Sequence, residues 1–497
     1  MSFERPQTKW GIAALAGLLG AVAALGQAPW SLWPLSLIGF CGLFWLLQAA
    51  RNTKGAAWIG WTGGTGYFAV ALFWIVEPFL VDIARHGWMA PFALFLMATG
   101  FALFWALALG LAHKLGGTAL QVGAAVVILT LAELARGVVL TGFPWATIGH
   151  VWIGHPVAQL AAYGGAGLLT VLLLALAALP VLVPRKIIGL AATALLLGLV
   201  WGAGALRLNS IEPQVSDKIV RVIQPNAAQH LKWDPAHAQK FLLRQLAMTE
   251  ATADAPLSAI IWPETSVTTR LDQAGVVLDA AAQSADGVPL VFGANDLVDG
   301  SYRNALVLLD GEGQIAQRYH KHHLVPFGEY IPLGEMAARF GVRGLAARDG
   351  GGFAAGPGPA MIEIEGLGTA LPLICYELIF PRHLRGSERP DFILQITNDA
   401  WFGNISGPYQ HLAQARLRAI EQGLGVVRSA NTGVSAVIDP LGKILAQAPL
   451  NKAGFFDESV PQALSPTFYA REGDWPVAAV LVLLLGALLR ARAPIAD

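Results

Sequence analysis

Leu371-Pro372-Leu373-Ile374-Cys375-Tyr376-Glu377-Leu378-Ile379-Phe380 carries a thiol to the end of an apolar, strand-like run, then follows it at once with an aromatic ring and a carboxylate. Cys375 is one of 2 cysteines in 497 residues, and the other, Cys41, falls inside an apolar segment. No structural disulfide is expected from such a pair. A free cysteine is most often a small buried hydrophobe, so the reading of Cys375 turns on its company.

Working outward, short apolar runs ending in polar residues recur at Ile219–Gln224, Ala259–Pro263, Leu290–Gly293, Ala305–Leu309, Thr369–Cys375, Phe392–Thr397 and Val434–Ile438. Helical stretches at Ala238–Thr252, Val277–Ser284 and Gln410–Gln422 alternate with them. The pattern predicts an α/β fold with sheets covered by helices. In such folds the groups that do chemistry lie just past strand ends. The run Ile260-Ile261-Trp262-Pro263 delivers Glu264 in that way, although a carboxylate at such a place is also a common helix cap or solvated turn.

The stretch Tyr319-His320-Lys321-His322-His323-Leu324-Val325-Pro326-Phe327-Gly328-Glu329-Tyr330-Ile331-Pro332 reads as a rigid loop presenting Lys321 and Glu329. Its histidines invite a metal reading. Adjacent side chains point in different directions in any regular element, however, and no Cys or His pair at ligand spacing follows, so no metal or cofactor is expected. A nucleophilic thiol needs a base to take its proton and a cation or N–H donors to hold the oxyanion it creates. Glu264 can be that base and Lys321 that cation, with Cys375 carrying the covalent intermediate. No Gly-x-Ser-x-Gly elbow supports a serine alternative.

Composition places this chemistry at a membrane. With 55% hydrophobic residues, 13% charged and a mean hydropathy of +0.53, part of the chain belongs in lipid. Spans are read at Trp10–Gly26, Leu35–Ala50, Ala57–Val81, Trp88–Ala112, Ala119–Leu140, Ala158–Val183, Ile187–Leu206 and Pro476–Leu489. Arg5, Lys9, Arg51, Lys54, Lys114, Arg185, Lys186, Arg490 and Arg492 fall on one side of eight alternating spans, with Arg85 and Arg136 as exceptions. Both termini are then cytoplasmic, and in a diderm bacterium the long polar interval faces the periplasm. The expected domains are 1–208 with seven spans, 209–470 as the catalytic domain, and 471–497 as a last helix and tail. A formal net charge of +0 with no basic stripe excludes nucleic acid as a partner.

Trp-Pro-Glu264, His-Lys321-His-His-Leu-Val-Pro-Phe-Gly-Glu329, Ile-Cys375-Tyr376-Glu377 and Asn398-Asp399-Ala400-Trp401-Phe402-Gly403, in that order, resemble the Glu-Lys-Cys signature of the nitrilase superfamily. With spans on both flanks, and Gln224-Pro225-Asn226 and Lys232-Trp233-Asp234-Pro235 ahead of the triad, the whole chain resembles the apolipoprotein N-acyltransferase family. His320 and His322 depart from the small polar residues expected beside the lysine. The resemblance implies a polytopic helical membrane domain bearing an αββα sandwich. It also implies ping-pong transfer of an sn-1 acyl chain from a phospholipid such as phosphatidylethanolamine, through a Cys375 thioester, to a diacylglyceryl apolipoprotein, by a monomer in the bacterial inner membrane. The Tyr376 N–H is implied as an oxyanion helper, Glu329 and Glu377 as supporting carboxylates, Trp233 as a lid residue and Asn398 as part of the site. A membrane-tethered amidase acting on a small soluble amide, and a transporter or scaffold with a lapsed catalytic domain, are the alternatives. Phe143-Pro144-Trp145 is either a lipid-entry element or an interfacial belt, and Glu133 and Arg136, three apart on one helical face, can pair.

Overall fold

The computed structural model describes residues 8–116, 118–332, 352–386 and 388–491. Arg5 and Arg492, counted in the charge asymmetry, lie outside the described residues. Backbone packing divides the chain into a helical unit, Met1–Val76 with Trp88–Glu212 and Thr467–Asp497, and an α/β unit, Glu77–Gly87 with Pro213–Pro466.

The helical unit opens with α1 (Lys9–Ala24), α2 (Trp33–Gln48), α3 (Thr53–Ala71), α4 (Ala90–Lys114), α5 (Thr118–Arg136), α6 (Ala161–Leu182) and α7 (Lys186–Ser210). Side-chain caps start two of them: Thr8 accepts the Gly11 N–H at 3.1 Å and Asn52 that of Gly55 at 2.8 Å. Small residues let the backbones touch, since a Cβ on Gly20 would run into the Gly63 carbonyl. Outward faces stay apolar, with Phe95, Leu96, Leu103 and Leu107 of α4 exposed, as suits lipid and not water.

Among the described residues, three helices are long and apolar enough to cross a membrane: Ile83–Lys114, Pro156–Leu182 and Lys186–Ser210. The expected span Ala57–Val81 is broken instead, α3 and Phe73–Leu80 meeting at 66°. The bend falls at Leu72, between α3 and the short helix Phe73–Val76. Helices α1 and α2 have 16 residues each, short of the roughly 20 that span hydrocarbon without help.

Glu133 and Arg136 do pair, at 2.7 Å, with side chains at most 1% exposed. Arg136 donates onward to the Phe143 and Trp145 carbonyls at 2.5 and 2.9 Å, and Trp105 Nε1 donates to Glu133 at 2.9 Å. The pair thus fastens the loop after α5 to the helices. Trp145 is fully buried against Trp74, which makes it a packing residue and not a belt residue.

In the α/β unit the strands run, in order, β1 (Val215–Gln224), β2 (Leu257–Ile261), β3 (Leu290–Val298), β4 (Ser301–Leu309), β5 (Ile315–His320), β6 (Ile362–Ile364), β7 (Gly368–Ile374), β8 (Phe392–Thr397), β9 (Gly425–Ala430), β10 (Ser435–Ile438), β11 (Ile444–Ala448) and β12 (Gly454–Pro461). They form two six-stranded sheets, β12-β1-β2-β3-β4-β5 and β11-β10-β9-β8-β7-β6. Strands β1, β2 and β3 are parallel, as are β7, β8 and β9. Helices α8 (Pro235–Thr249) and α9 (Gly275–Ala285) bury Leu242, Leu246 and Leu278 against Ile260, Phe292 and Val307 of the first sheet. Helix α10 (Gly407–Gln422) buries Leu412, Ala415 and Ala419 against Leu373, Ile393 and Val426 of the second. Polar contacts such as Ser435 Oγ to Gln224 Oε1, 2.7 Å, join the inner faces. This is the four-layer αββα arrangement. The chain then returns to the helical unit with α11 (Trp475–Arg490), also 16 residues.

The seven anticipated strand runs all fall on strands. Five others, β5, β6, β9, β11 and β12, escaped notice because partly exposed edge strands lack a continuous apolar run and β9 carries Arg428 and Ser429. Strand β5 matters most, since it replaces the start of the anticipated Lys321 loop and sets that residue at a strand end.

Gly293 in β3 is packed tightly near the future site. Its N–H bonds the Pro263 carbonyl at 3.1 Å and its carbonyl accepts from Val267 at 3.1 Å, so a Cβ there would meet the Glu264 Cα at 2.6 Å. Gly293→Ala is expected to displace the turn carrying Glu264 and to destabilise the α/β unit by about 1–3 kcal/mol. A lower thermal unfolding midpoint of the purified chain would register it.

Candidate active site

Five strand ends converge. β1 leads to the turn containing Lys232, β2 to Glu264, β5 to Lys321, β7 to Cys375 and β8 to Asn398. Cys375 itself takes the left-handed conformation, φ +52°, as do Thr265 beside Glu264, φ +50°, and Phe327 in the loop after Lys321, φ +63°. Non-glycine residues rarely hold such angles unless their surroundings impose them. For Cys375 the imposition is visible: its carbonyl contacts Gln395 Nε2 and His411 Nε2, each at 3.2 Å.

Glu377, with no exposed surface, folds back on the same elbow. One oxygen accepts the Ile374 N–H at 2.8 Å and the Tyr319 hydroxyl at 2.9 Å; the other accepts the N–H groups of His322 at 2.8 Å and His323 at 3.1 Å. It therefore ties the backbone after Lys321 to the backbone before Cys375. Burial alone would raise its pKa, but bonding to His322 and the Ile374 N–H, with the Lys321 charge, holds it below the usual carboxylate range.

Lys321 is 1% exposed and donates to Glu329 Oε1 at 2.8 Å, while Glu329 Oε2 accepts the Val325 N–H at 2.8 Å and closes the loop. Asn304 Nδ2 spans the two acids, 2.7 Å from Glu264 Oε1 and 3.3 Å from Glu329 Oε1. The other Glu264 oxygen accepts the Asn398 backbone N–H at 2.7 Å. Burial lifts the Glu264 pKa, with Lys321 opposing and Glu329 adding to the rise. Burial would lower that of Lys321, but Glu329, Cys375 and Glu264 more than reverse it, so the ammonium persists. Burial and Glu264 push the Cys375 thiol well up, against the pull of Lys321. These three groups thus lie within one another's field.

The remaining residues singled out from sequence are placed as follows. Asn398 also bonds Gln229 and Asn431 through its side chain, at 2.7 and 2.9 Å. The Tyr376 ring packs against His323 and Phe380, centroids 5.7 and 5.0 Å away. Trp233 is half-buried in the turn before α8 and joins no hydrogen bond of the cluster among the described residues. His320 meets Asp296 at 2.9 Å and His323 stacks on Phe380, so the histidine run disperses.

Sequence reasoning missed Asn304, Lys232 and a buried set behind the elbow. Asn304 carried no signal, being a single polar residue near an apolar run, and Lys232 stood in the marked Lys232-Trp233-Asp234-Pro235 stretch without being singled out as a site residue. Behind the elbow Asp399 accepts from His411 Nδ1 and Thr397 Oγ1, both at 2.9 Å, and pairs with Arg428. Of this buried set only Asp399, in the stretch after β8, stood in a marked motif.

The α/β unit matches the carbon–nitrogen hydrolase family model over residues 219–465. The fold is that of a nitrilase-like domain. Residues 19–179 match the model of the apolipoprotein N-acyltransferase N-terminal domain. The apolipoprotein N-acyltransferase of Rhodopseudomonas palustris is 37% identical over 87% of this chain and 85% of its own; that of Bradyrhizobium diazoefficiens is 38% identical over 86% and 84%. A crystallised CN-hydrolase superfamily protein from Xanthomonas campestris, 21% identical, aligns over 55% of this chain and 97% of its own with a TM-score of 0.37. The chain belongs to the apolipoprotein N-acyltransferase family, an acyltransferase branch of the nitrilase superfamily.

Asp399 provides a test of the buried set. Burial would raise its pKa, yet Arg428 and His411 hold it at about 2 against an ordinary 3.8. Its folded pKa being depressed, the stability it contributes is present above pH 3.8 and is lost as pH falls toward 2. Thermal unfolding across that window should show a loss of about 2 kcal/mol, and Asp399→Asn, less stable at neutral pH, should show little of it.

Proposed function

We propose that this chain moves an sn-1 acyl group from a phospholipid, phosphatidylethanolamine serving well, to the α-amino group of the diacylglyceryl-cysteine that begins an apolipoprotein. The observation that carries the reading is the buried gathering of Glu264, Lys321 and Cys375, with the thiol on a left-handed elbow, in a chain built largely of apolar helices.

Each environment suits a role. A thiol whose pKa is pushed up stays protonated, so it needs a base within the site. A carboxylate whose pKa is raised is a stronger base at neutral pH. In the first half-reaction Glu264 takes the Cys375 proton and the sulfur attacks the ester carbonyl. Lys321, helped by the Tyr376 N–H, holds the oxyanion. Collapse breaks the ester C–O bond, Glu264 returns its proton to the departing lysophospholipid oxygen, and a thioester remains. In the second, the lipoprotein amine attacks that thioester while Glu264 takes an amine proton. The thiolate leaves and is reprotonated, giving the triacylated product. Glu329 holds Lys321 and Asn304 in place, Glu377 and Asn398 position Cys375 and Glu264, and Trp233 lies in a lid over the site.

Both substrates carry chains that stay in the bilayer, which explains a catalytic domain held at the interface. A covalent intermediate lets two bulky lipids use one site in turn. Helices α1–α7 and α11 supply eight crossings, the shorter ones by local thinning of the bilayer. Residues 1–208 form the first membrane domain, 209–470 the periplasmic domain, and 471–497 the last helix and a cytoplasmic tail. Both termini are cytoplasmic, in the inner membrane, and a monomer suffices.

Intact mass of the purified chain after incubation with phosphatidylethanolamine is the direct test. Wild type should gain one acyl chain and lose it on addition of a diacylated lipopeptide, and Cys375→Ala should gain nothing. Hydrolysis of a soluble amide without an adduct would replace the proposal with a tethered amidase. Glu264→Gln, with a base lost but folding retained, should slow acylation by about 10²–10⁴-fold in single-turnover assays.

A further inference from the structure

A second buried lysine stands behind the catalytic acid. Lys232 is 3% exposed, and its Nζ donates to the Glu264 backbone carbonyl at 3.2 Å. Among the described residues Glu264 supplies both this hydrogen bond and the opposite charge that Lys232 meets. A buried ammonium with so little bonding is costly unless a carboxylate answers it.

The turn that carries Lys232 is held by local hydrogen bonds. Its N–H bonds the Ala228 carbonyl at 2.9 Å, and Asp234, two residues on, caps α8 by accepting the Ala236 N–H at 2.9 Å. The same turn reaches Glu264 by a second route, Gln229 to the Asn398 side chain at 2.7 Å and the Asn398 N–H to Glu264 Oε2 at 2.7 Å. One short segment therefore braces both the backbone and the carboxylate of the base.

We infer that Lys232 is a positioning residue for the acyl transfer: its charge favours the ionised form of Glu264 and its hydrogen bond fixes the turn from which Glu264 projects. The inference rests on Glu264 acting as the base. The charged and titratable groups facing Glu264 are Lys321, Glu329, Lys232 and the Cys375 thiol. With both lysines protonated and both acids ionised, this cluster is neutral. Removing Lys232 leaves one uncompensated negative charge around a base that must itself be negative to work. Burial lowers the Lys232 pKa to about 8, with Glu264 opposing, so the cation is present at neutral pH.

The test reads the protonation of Glu264 through Cys375 and needs no lipid. In full-length chain carrying Cys41→Ala, the rate of Cys375 alkylation by iodoacetamide is followed from pH 5 to 9 for wild type, Lys232→Met, Lys232→Gln and Lys232→Arg. Removing an opposite charge at this range should raise the midpoint of the acid limb by about one unit in the Met and Gln variants. Alkylation near pH 6 would then fall by about tenfold, with the difference closing at higher pH. Lys232→Arg should keep the wild-type midpoint. A loss by the same factor at every pH, or a midpoint unmoved in both neutral variants, overturns the inference. Should Lys232→Met fail to fold, Lys232→Gln, which retains a donor for the Glu264 carbonyl, decides alone. If wild-type alkylation shows the limb but phosphatidylethanolamine leaves no adduct, the proposed reaction fails while the placement of Lys232 stands.

Discussion

Glu377 is the constraint on which the site depends. A carboxylate without exposed surface can be tolerated only if its oxygens are filled, and here they are filled by backbone N–H groups from two separate chain segments and by a phenol. Satisfying Glu377 therefore requires the end of β5 and the end of β7 to meet. That meeting brings Lys321 and Cys375 into one field.

The two sheets bring the remaining parts into register. The parallel triplets β1-β2-β3 and β7-β8-β9 each send their carboxyl ends into loops, and the loops deliver Lys232, Glu264, Cys375 and Asn398. Because Glu264 arises from one sheet and Cys375 from the other, their geometry depends on how the sheets pack. Bonds between the inner faces, such as Ser435 to Gln224 and Ser429 Oγ to the Ile223 carbonyl at 2.9 Å, limit sliding. Left-handed residues at the site store strain that this framework absorbs.

In the helical unit the same logic holds with different materials. Apolar surface outside costs nothing in lipid, so cohesion comes from close backbone approach at residues such as Gly20 and from a satisfied ion pair between Glu133 and Arg136. Arg136 donates to the carbonyls of Phe143 and Trp145, which helps hold Trp145 buried and not in an interfacial belt.

Local sequence was enough to determine that Cys375 ends a strand, that Glu264 follows another, that helices cover the sheets, and that long apolar runs precede the α/β unit. Hydrophobic periodicity and turn residues are local signals, and these elements follow from them. Motif order was enough to group Glu264, Lys321, Cys375, Glu329, Glu377 and Asn398. What each touches was decided by tertiary structure. Asn304 between two acids, Lys232 beside Glu264, and Asp399 with His411 and Arg428 behind the elbow are contacts between residues 12 to 40 positions apart, and no periodicity records them. The break after α3 and the edge strand β5 likewise escaped, since both depend on which neighbour supplies the missing contacts. Sequence thus names the candidate groups, while only the packing of two sheets decides their burial and their partners, because side chains distant in the chain meet only there.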